Sequence, residues 1–184
     1  MTDKKALRKE LMEKRRLMDK SYRLNSCNMI YNNLISCQEI KNADTILTYI
    51  STDIEVDTIK FIEYLLESKK TVAVPKCEGK NMRFIKITGF DSLVKGAFGI
   101  LEPTGSDEIT DFKETVCITP ALSFDNDGYR LGYGGGFYDR FFEKFDGISV
   151  GICYDSFIGS VPKEEYDRSV DILVTESGIR YMRK

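Results

Sequence analysis

Two periodicities divide this chain, one near 3.6 residues and one near 2. The opening run TDKKALRKELMEKRRLMD (2–19) is strongly polar, yet Leu7, Leu11 and Met18 fall near one face of a helix that Asp3 or Thr2 can cap. Lys4 and Arg8 stand four apart, so their side chains project together from that helix. A second helix is predicted over 22–35, with Leu24, Cys27, Ile30, Tyr31 and Leu34 inward, and a third over 55–68, with Ile59, Ile62, Leu65 and Leu66. TILTYI (45–50) reads as a strand, TVAVP (71–75) as a short buried strand closed by Pro75, and MRFIKI (82–87) as a half-exposed one. The stretch 90–104, with Gly96, Gly99 and Pro103, reads as loop. ETVCIT (114–119) is a strand ended by Pro120, and ALSFDNDGYRLGYGGGF (121–137) a long glycine-rich connection. A helix is expected from Phe137 or Tyr138 to about Phe145, followed by the strand ISVGICY (148–154), the loop DSFIGSVP (155–162) and a final buried strand DILVT (171–175). Strands alternating with helices predict one α/β domain over 1–184, three-layered, with a largely parallel central sheet flanked by helices.

Composition narrows the chemistry. The chain of 184 residues has no histidine, which excludes a Ser-His-Asp or Cys-His nucleophile, a His metal ligand and an imidazole base. The five cysteines are odd in number and make no C-x-x-C pair, so they read as small buried apolar residues in a reducing compartment. The first ten residues are polar and no apolar run approaches a membrane span, so a cytoplasmic, non-membrane protein is expected. Net charge is -2, but residues 1–23 carry nine Lys/Arg against four Asp/Glu. The acidic remainder argues against a nucleic-acid binder, while the basic start suits a smaller anionic partner or simply a solvated helix face.

Residues 130–140, Arg-Leu-Gly-Tyr-Gly-Gly-Gly-Phe-Tyr-Asp-Arg, concentrate four glycines directly before a helix. Glycine permits positive φ and close backbone approach, and successive N–H groups in such a turn form an anion nest that a helix dipole reinforces. The pattern is neither a Walker A nor a Rossmann fingerprint. Asp139, in the first helical turn, would repel a phosphate unless Mg²⁺ lay between them; otherwise it is a helix-start acid favoured by the dipole. Arg130 and Arg140 flank the loop as phosphate clamps or as solvated side chains.

These residues resemble the 5-formyltetrahydrofolate cyclo-ligase (5,10-methenyltetrahydrofolate synthetase) family over nearly the whole chain. The resemblance is carried by Lys4 and Arg8, Ser51-Thr52-Asp53-Ile54-Glu55, VPK (74–76), GILEP (99–103), TPALSFDNDGYRLGYGGGFYDRF (119–141), GICYDSF (151–157) and VPKEEYDRSVDILVTE (161–176). It implies ATP-dependent ring closure of 5-formyltetrahydrofolate to 5,10-methenyltetrahydrofolate, with ADP and phosphate released. It assigns ATP binding to Lys4-Lys5-Ala6-Leu7-Arg8 and to Arg130-Leu131-Gly132-Tyr133-Gly134-Gly135-Gly136-Phe137-Tyr138. Folate falls to Ile50, Glu55 and Tyr133 to Phe137, and magnesium to Asp139 and Asp171. Arg8 and Asp139 carry the catalytic assignments, and a monomer is expected. Many relatives have basic residues inside the loop where this chain has Tyr133 and Gly135, so phosphate charge would rest on backbone N–H groups, Mg²⁺, Lys4, Arg8, Lys76 or Arg130.

Each residue also has a plainer reading. Glu55 can orient a pterin edge or be a first-turn helix acid. Asp171, opening a buried strand, needs a metal, a basic partner or solvent. Phe137, Tyr138 and Tyr133 can stack on flat rings or sit in the core. Two other functions share these features: a sugar-phosphate isomerase or CoA-transferase relative, independent of ATP, and a module that binds nucleotide or folate without turnover.

Overall fold

The computed structural model describes residues 3–96, 99–164 and 166–182. Apolar residues in adjacent strand positions divide between two faces of one sheet, because successive side chains in a strand point opposite ways. The first strand β1 (Thr45–Leu47) sends Ile46 to one core cluster and Leu47 to another. Its parallel neighbours β2 (Thr71–Glu78) and β6 (Thr115–Pro120) do the same with Val72 against Ala73 and Val116 against Cys117. Both faces are therefore covered, as a parallel sheet requires.

Helices α2 (Lys20–Ser36) and α4 (Ile59–Glu67) cover the first face through Ile30, Leu34, Phe61, Ile62 and Leu65, with the short α3 (Gln38–Asn42) beside them. The second face receives α5 (Phe137–Phe142), whose Phe141 and Phe142 meet Phe84 and Phe112. The strands complete a seven-membered sheet in the order β11-β10-β9-β6-β1-β2-β3, with β3 spanning Asn81–Ile87, β9 Ile148–Ile152, β10 Ile172–Thr175 and β11 Gly178–Tyr181. The inner five strands are parallel, and both edge strands pair antiparallel. A three-layer, largely parallel α/β domain is thus what the chain forms.

Several local expectations change. Pro75 does not end its strand: β2 continues to Glu78 paired with β3 alone, beyond the last β1 partner at Ala73, and a residue without an N–H is tolerated where one side is unpaired. Leu24 is 64% exposed rather than inward. The third helix begins at Ile59, not 55. The region 90–104 contains a small ribbon, β4 (Leu93–Lys95) with β5 (Leu101–Pro103). The long connection 121–137 contains a hairpin, β7 (Ser123–Phe124) with β8 (Arg130–Leu131). That hairpin lies on the sheet because β9 carries Gly151, where a Cβ would stand 2.5 Å from the Phe124 ring. Beyond 171–175, the antiparallel β11 adds an edge that the 2-residue turn after Thr175 makes possible. Cys37, Cys117 and Cys153 are buried as expected, but Cys27 is half-buried and Cys77 exposed. The alternative cap Thr2 lies outside the described residues.

Candidate active site

The sheet order places a switch point between β1 and β6: from β1 the chain moves outward to β2, whereas β6 leads to β9 on the other side. Loops leaving the carboxyl ends of the two strands diverge there and leave a crevice, the usual ligand position in open α/β sheets. The loop after β1 carries Ile50 and Glu55, and the arm after β6 carries the glycine run. Helix α1 (Lys4–Arg16) crosses the same ends.

Asp3 starts α1 by accepting from Lys5 N at 2.9 Å. One turn on, Arg8 Nε donates to Gly132 O at 2.9 Å, and its guanidinium lies against Gly134, where a Cβ would be 3.5 Å from Arg8 Cζ. Gly134 (φ 101°) and Gly136 (φ 64°) adopt left-handed backbone conformations that favour glycine. Gly136 leads into α5, which stops at Phe142 rather than 145. So short a helix carries little dipole, and loop N–H groups become the larger part of any anion nest. Arg140 grips the loop from below, donating to Gly135 O at 2.9 Å and Lys80 O at 3.0 Å, with its guanidinium over Phe137. It braces the loop while remaining exposed to solvent.

Lys4 bonds Asp167 at 2.9 Å and approaches Glu164 at 3.3 Å. Burial pulls its pKa down, but the bonds and charges of Asp167 and Glu164 outweigh that, and the net shift is upward. A phosphate would have to compete with those two carboxylates. Lys5 and Ala6 are exposed and Leu7 half-buried.

Arg130 is buried beneath the loop, paired with Asp139, donating to Arg168 O at 3.0 Å, with its guanidinium over Phe142. Desolvation lowers its pKa, and Asp139 opposes the fall. Arg130 therefore fixes Asp139 through Oδ1, and Oδ2 accepts no hydrogen bond among the described residues. A half-exposed carboxylate with one oxygen available beside an N–H-rich loop fits Mg²⁺, a hard cation that takes one or two carboxylates plus phosphate oxygens. Asp171 lies just before β10, beside Ser149: its Oδ2 accepts from Ser149 N and Ser149 Oγ, both at 2.8 Å. The Ser149 clamp is one contact that holds this carboxylate at the strand start.

Glu55 is not in a helix. It closes a turn in which Oε2 accepts from Thr52 N and Thr52 Oγ1, both at 2.8 Å, while Tyr154 Oη donates to Glu55 O at 3.0 Å. The Tyr133 phenol faces this carboxylate although the residue as a whole is 40% exposed; loss of water at the hydroxyl first, then the Glu55 charge, raise its pKa above the usual value. Ile50 is buried beside Tyr49, whose hydroxyl donates to Val56 O at 3.0 Å. Phe137 and Tyr138 are partly core, packed against the second-face cluster. Tyr138 Oη is buried without a partner among the described residues, and burial raises its pKa far above the usual value. A buried hydroxyl beside the loop that no protein group satisfies suits an oxygen acceptor on a bound ligand.

The residue that pattern reading overlooks is Arg15, buried at the end of α1. Its position seven after Arg8 is two helical turns along the same face, and that register is the signal.

Fold and site together define an α/β enzyme with a glycine-rich loop at the switch point, facing a second loop built around a carboxylate. The chain belongs to the 5-formyltetrahydrofolate cyclo-ligase family, whose profile matches residues 1–176. Among curated relatives, the mitochondrial 5-formyltetrahydrofolate cyclo-ligase of Arabidopsis thaliana is 30% identical, over 96% of this chain and 75% of its own. The 5-formyltetrahydrofolate cyclo-ligase of Escherichia coli K12 is 33% identical over 74% and 80%. Among solved structures, the 5,10-methenyltetrahydrofolate synthetase of Aquifex aeolicus superposes with a TM-score of 0.87 at 31% identity, covering 98% of this chain and 93% of that one.

Proposed function

We propose that this enzyme converts 5-formyltetrahydrofolate to 5,10-methenyltetrahydrofolate at the expense of Mg-ATP. The observation that carries the reading is the pairing of two loops across one crevice in a chain of this family: the glycine arm held by Arg8, Arg130 and Arg140, and the turn of Glu55 facing Tyr133.

ATP phosphates lie on the N–H groups of Gly132 to Gly136, with Arg8 over the loop and Lys4 exchanging its Asp167 partner for phosphate. Asp139 would hold Mg²⁺ through Oδ2, and the ion, when bound, neutralises phosphate charge. Ile50 and the Tyr133 ring bound the pterin side, and the Glu55 carboxylate accepts from pterin N–H groups.

The formyl oxygen attacks the γ-phosphorus, the bond from phosphorus to the bridging oxygen breaks, and ADP leaves with that electron pair. The 10-nitrogen then attacks the activated formyl carbon; the carbon–oxygen bond breaks, and phosphate departs with the nitrogen's proton. Both nucleophiles belong to the substrate, so a chain without histidine loses nothing. The protein's share is orientation and charge compensation.

The test mixes protein, ATP, Mg²⁺ and 5-formyltetrahydrofolate and follows methenyl absorbance in the near ultraviolet. Product that requires both nucleotide and metal is expected. No product with both present overturns the reading, and binding of both ligands without product favours a non-catalytic module.

A further inference from the structure

Arg15 is a cation in an unusual setting. It is 1% exposed, and no carboxylate pairs with it among the described residues. Nη2 donates to Ala121 O at 2.6 Å and Leu122 O at 3.0 Å, Nη1 to Ile54 O at 3.2 Å, and Cys153 Sγ lies 3.5 Å away. The rings of Tyr154 and Phe157 sit 5.5 and 5.0 Å from its Cζ, and Nε has no partner among the described residues. Carbonyl dipoles and ring faces do all the compensating.

The acceptors are not random. Ile54 O belongs to the peptide that leads into Glu55. Ala121 and Leu122 start the arm that becomes the glycine loop. Arg15 itself sits on the helix that presents Lys4 and Arg8. It is the one buried residue of α1. Arg23 repeats the arrangement from α2, bonding Asp53 O and Arg15 O, and its Nε is likewise buried without a partner. A planar fork spanning three segments transmits displacement of any one to the others, which a hydrophobic contact, lacking direction, would not.

We infer that Arg15 is a positioning residue that couples the two halves of the site, so that occupation of the nucleotide side raises affinity on the folate side and the reverse. This rests on the function proposed above. Binding at Arg8 and the glycine loop fixes α1 and the arm, and Arg15 passes that order to the Ile54–Glu55 turn. Coupling of this kind is reciprocal, and about ten-fold is an ordinary size.

Calorimetric titration tests it on the full chain, with 5-formyltetrahydrofolate and a non-hydrolysable ATP analogue plus Mg²⁺, each alone and in the presence of the other. The wild-type protein is expected to bind each ligand about ten-fold tighter with the other present. In Arg15→Met, which keeps the bulk and loses the donors, that factor falls to about one while each ligand still binds alone. Arg15→Lys, with one ammonium unable to span the carbonyls, is expected to lose most of the coupling as well. Coupling retained in either folded variant overturns the inference, as does a wild-type protein that binds both ligands independently. A wild-type protein that binds neither overturns the functional reading too. Should neither variant fold, hydrogen exchange on the wild type decides: the amides of 52–56 slow when the ATP analogue alone is added, and unchanged exchange there sinks the proposal.

Discussion

Single side chains in this crevice are fixed by charge more than by packing. Arg130 and Asp139 are the clearest pair, one buried and one half-exposed, each giving the other its position. Asp139→Asn keeps the shape and removes the charge. Turnover at saturating Mg-ATP is expected to drop by about 100-fold or more, since one electrostatic stabiliser is typically worth that much. Asp171→Asn, at the Ser149 clamp, is expected to lower stability first and Mg²⁺ dependence little. Initial rates titrated with Mg²⁺ for both variants, alongside thermal melting, separate the roles; equal kinetic losses would bring Asp171 into the metal site. At this scale the sequence is partly transparent. The spacing of glycines before Asp139 and the position of Arg8 mark a loop that Arg8 does meet, whereas Lys4, on the same helix face, turns to Asp167 and Glu164. Arg140 as a brace and Glu55 in a turn are not visible there, because both depend on carbonyls and N–H groups supplied by other segments.

Elements follow their periodicity where burial is one-sided and depart from it where neighbours intervene. Helix α4 buries Ile62 and Leu65 as its spacing predicts, but adds Phe61 and leaves Ile59 and Leu66 half-buried. Leu24, at an equally plausible position in α2, faces out, since α2 turns Ile30 and Leu34 to the sheet instead. Two-residue strands such as β7 and β8 are too short for any period to register, so the hairpin inside 121–137 reads as loop. Helix α5 has only six residues and depends on its rings: Phe141 is 3% exposed, with ring centroids 4.8 Å from Phe84 and 5.3 Å from Phe112. Phe141→Ala is expected to destabilise the fold by about 3–5 kcal/mol, the range for a buried phenylalanine whose neighbours cannot collapse. A lower urea midpoint at unchanged slope is the measurement. A cost well below that range would show that α5 is held by Arg140 and the loop instead.

At the scale of the whole molecule, buried thiols and phenols stay neutral to higher pH than usual. Burial raises the Cys117 thiol to about 12 and Cys153 to about 11, from an ordinary 9.0, and lifts the Tyr49 and Tyr138 phenols well above theirs. These groups bind protons more tightly folded than unfolded. Their stabilisation is complete below pH 9 and disappears as pH climbs through the folded values, because the unfolded chain ionises first. Urea midpoints should therefore be flat near about pH 8 and fall by about pH 10.5; a midpoint that rises over that interval refutes the assignment. The alternation of strand and helix makes the sheet's parallel character readable from sequence, whereas the order of its strands is not, since local patterns carry no record of which distant segment lies alongside. The antiparallel rims have a consequence for how the chain reaches this form. β2–β3 and β10–β11 join neighbours in sequence, while β6 must find β1 across the register Thr45 to Thr115. Short loops close with little entropy lost and long ones with more, so the rims can assemble early and the middle late. The crevice straddles that late seam, so catalytic competence is expected to be the last property a refolding chain regains.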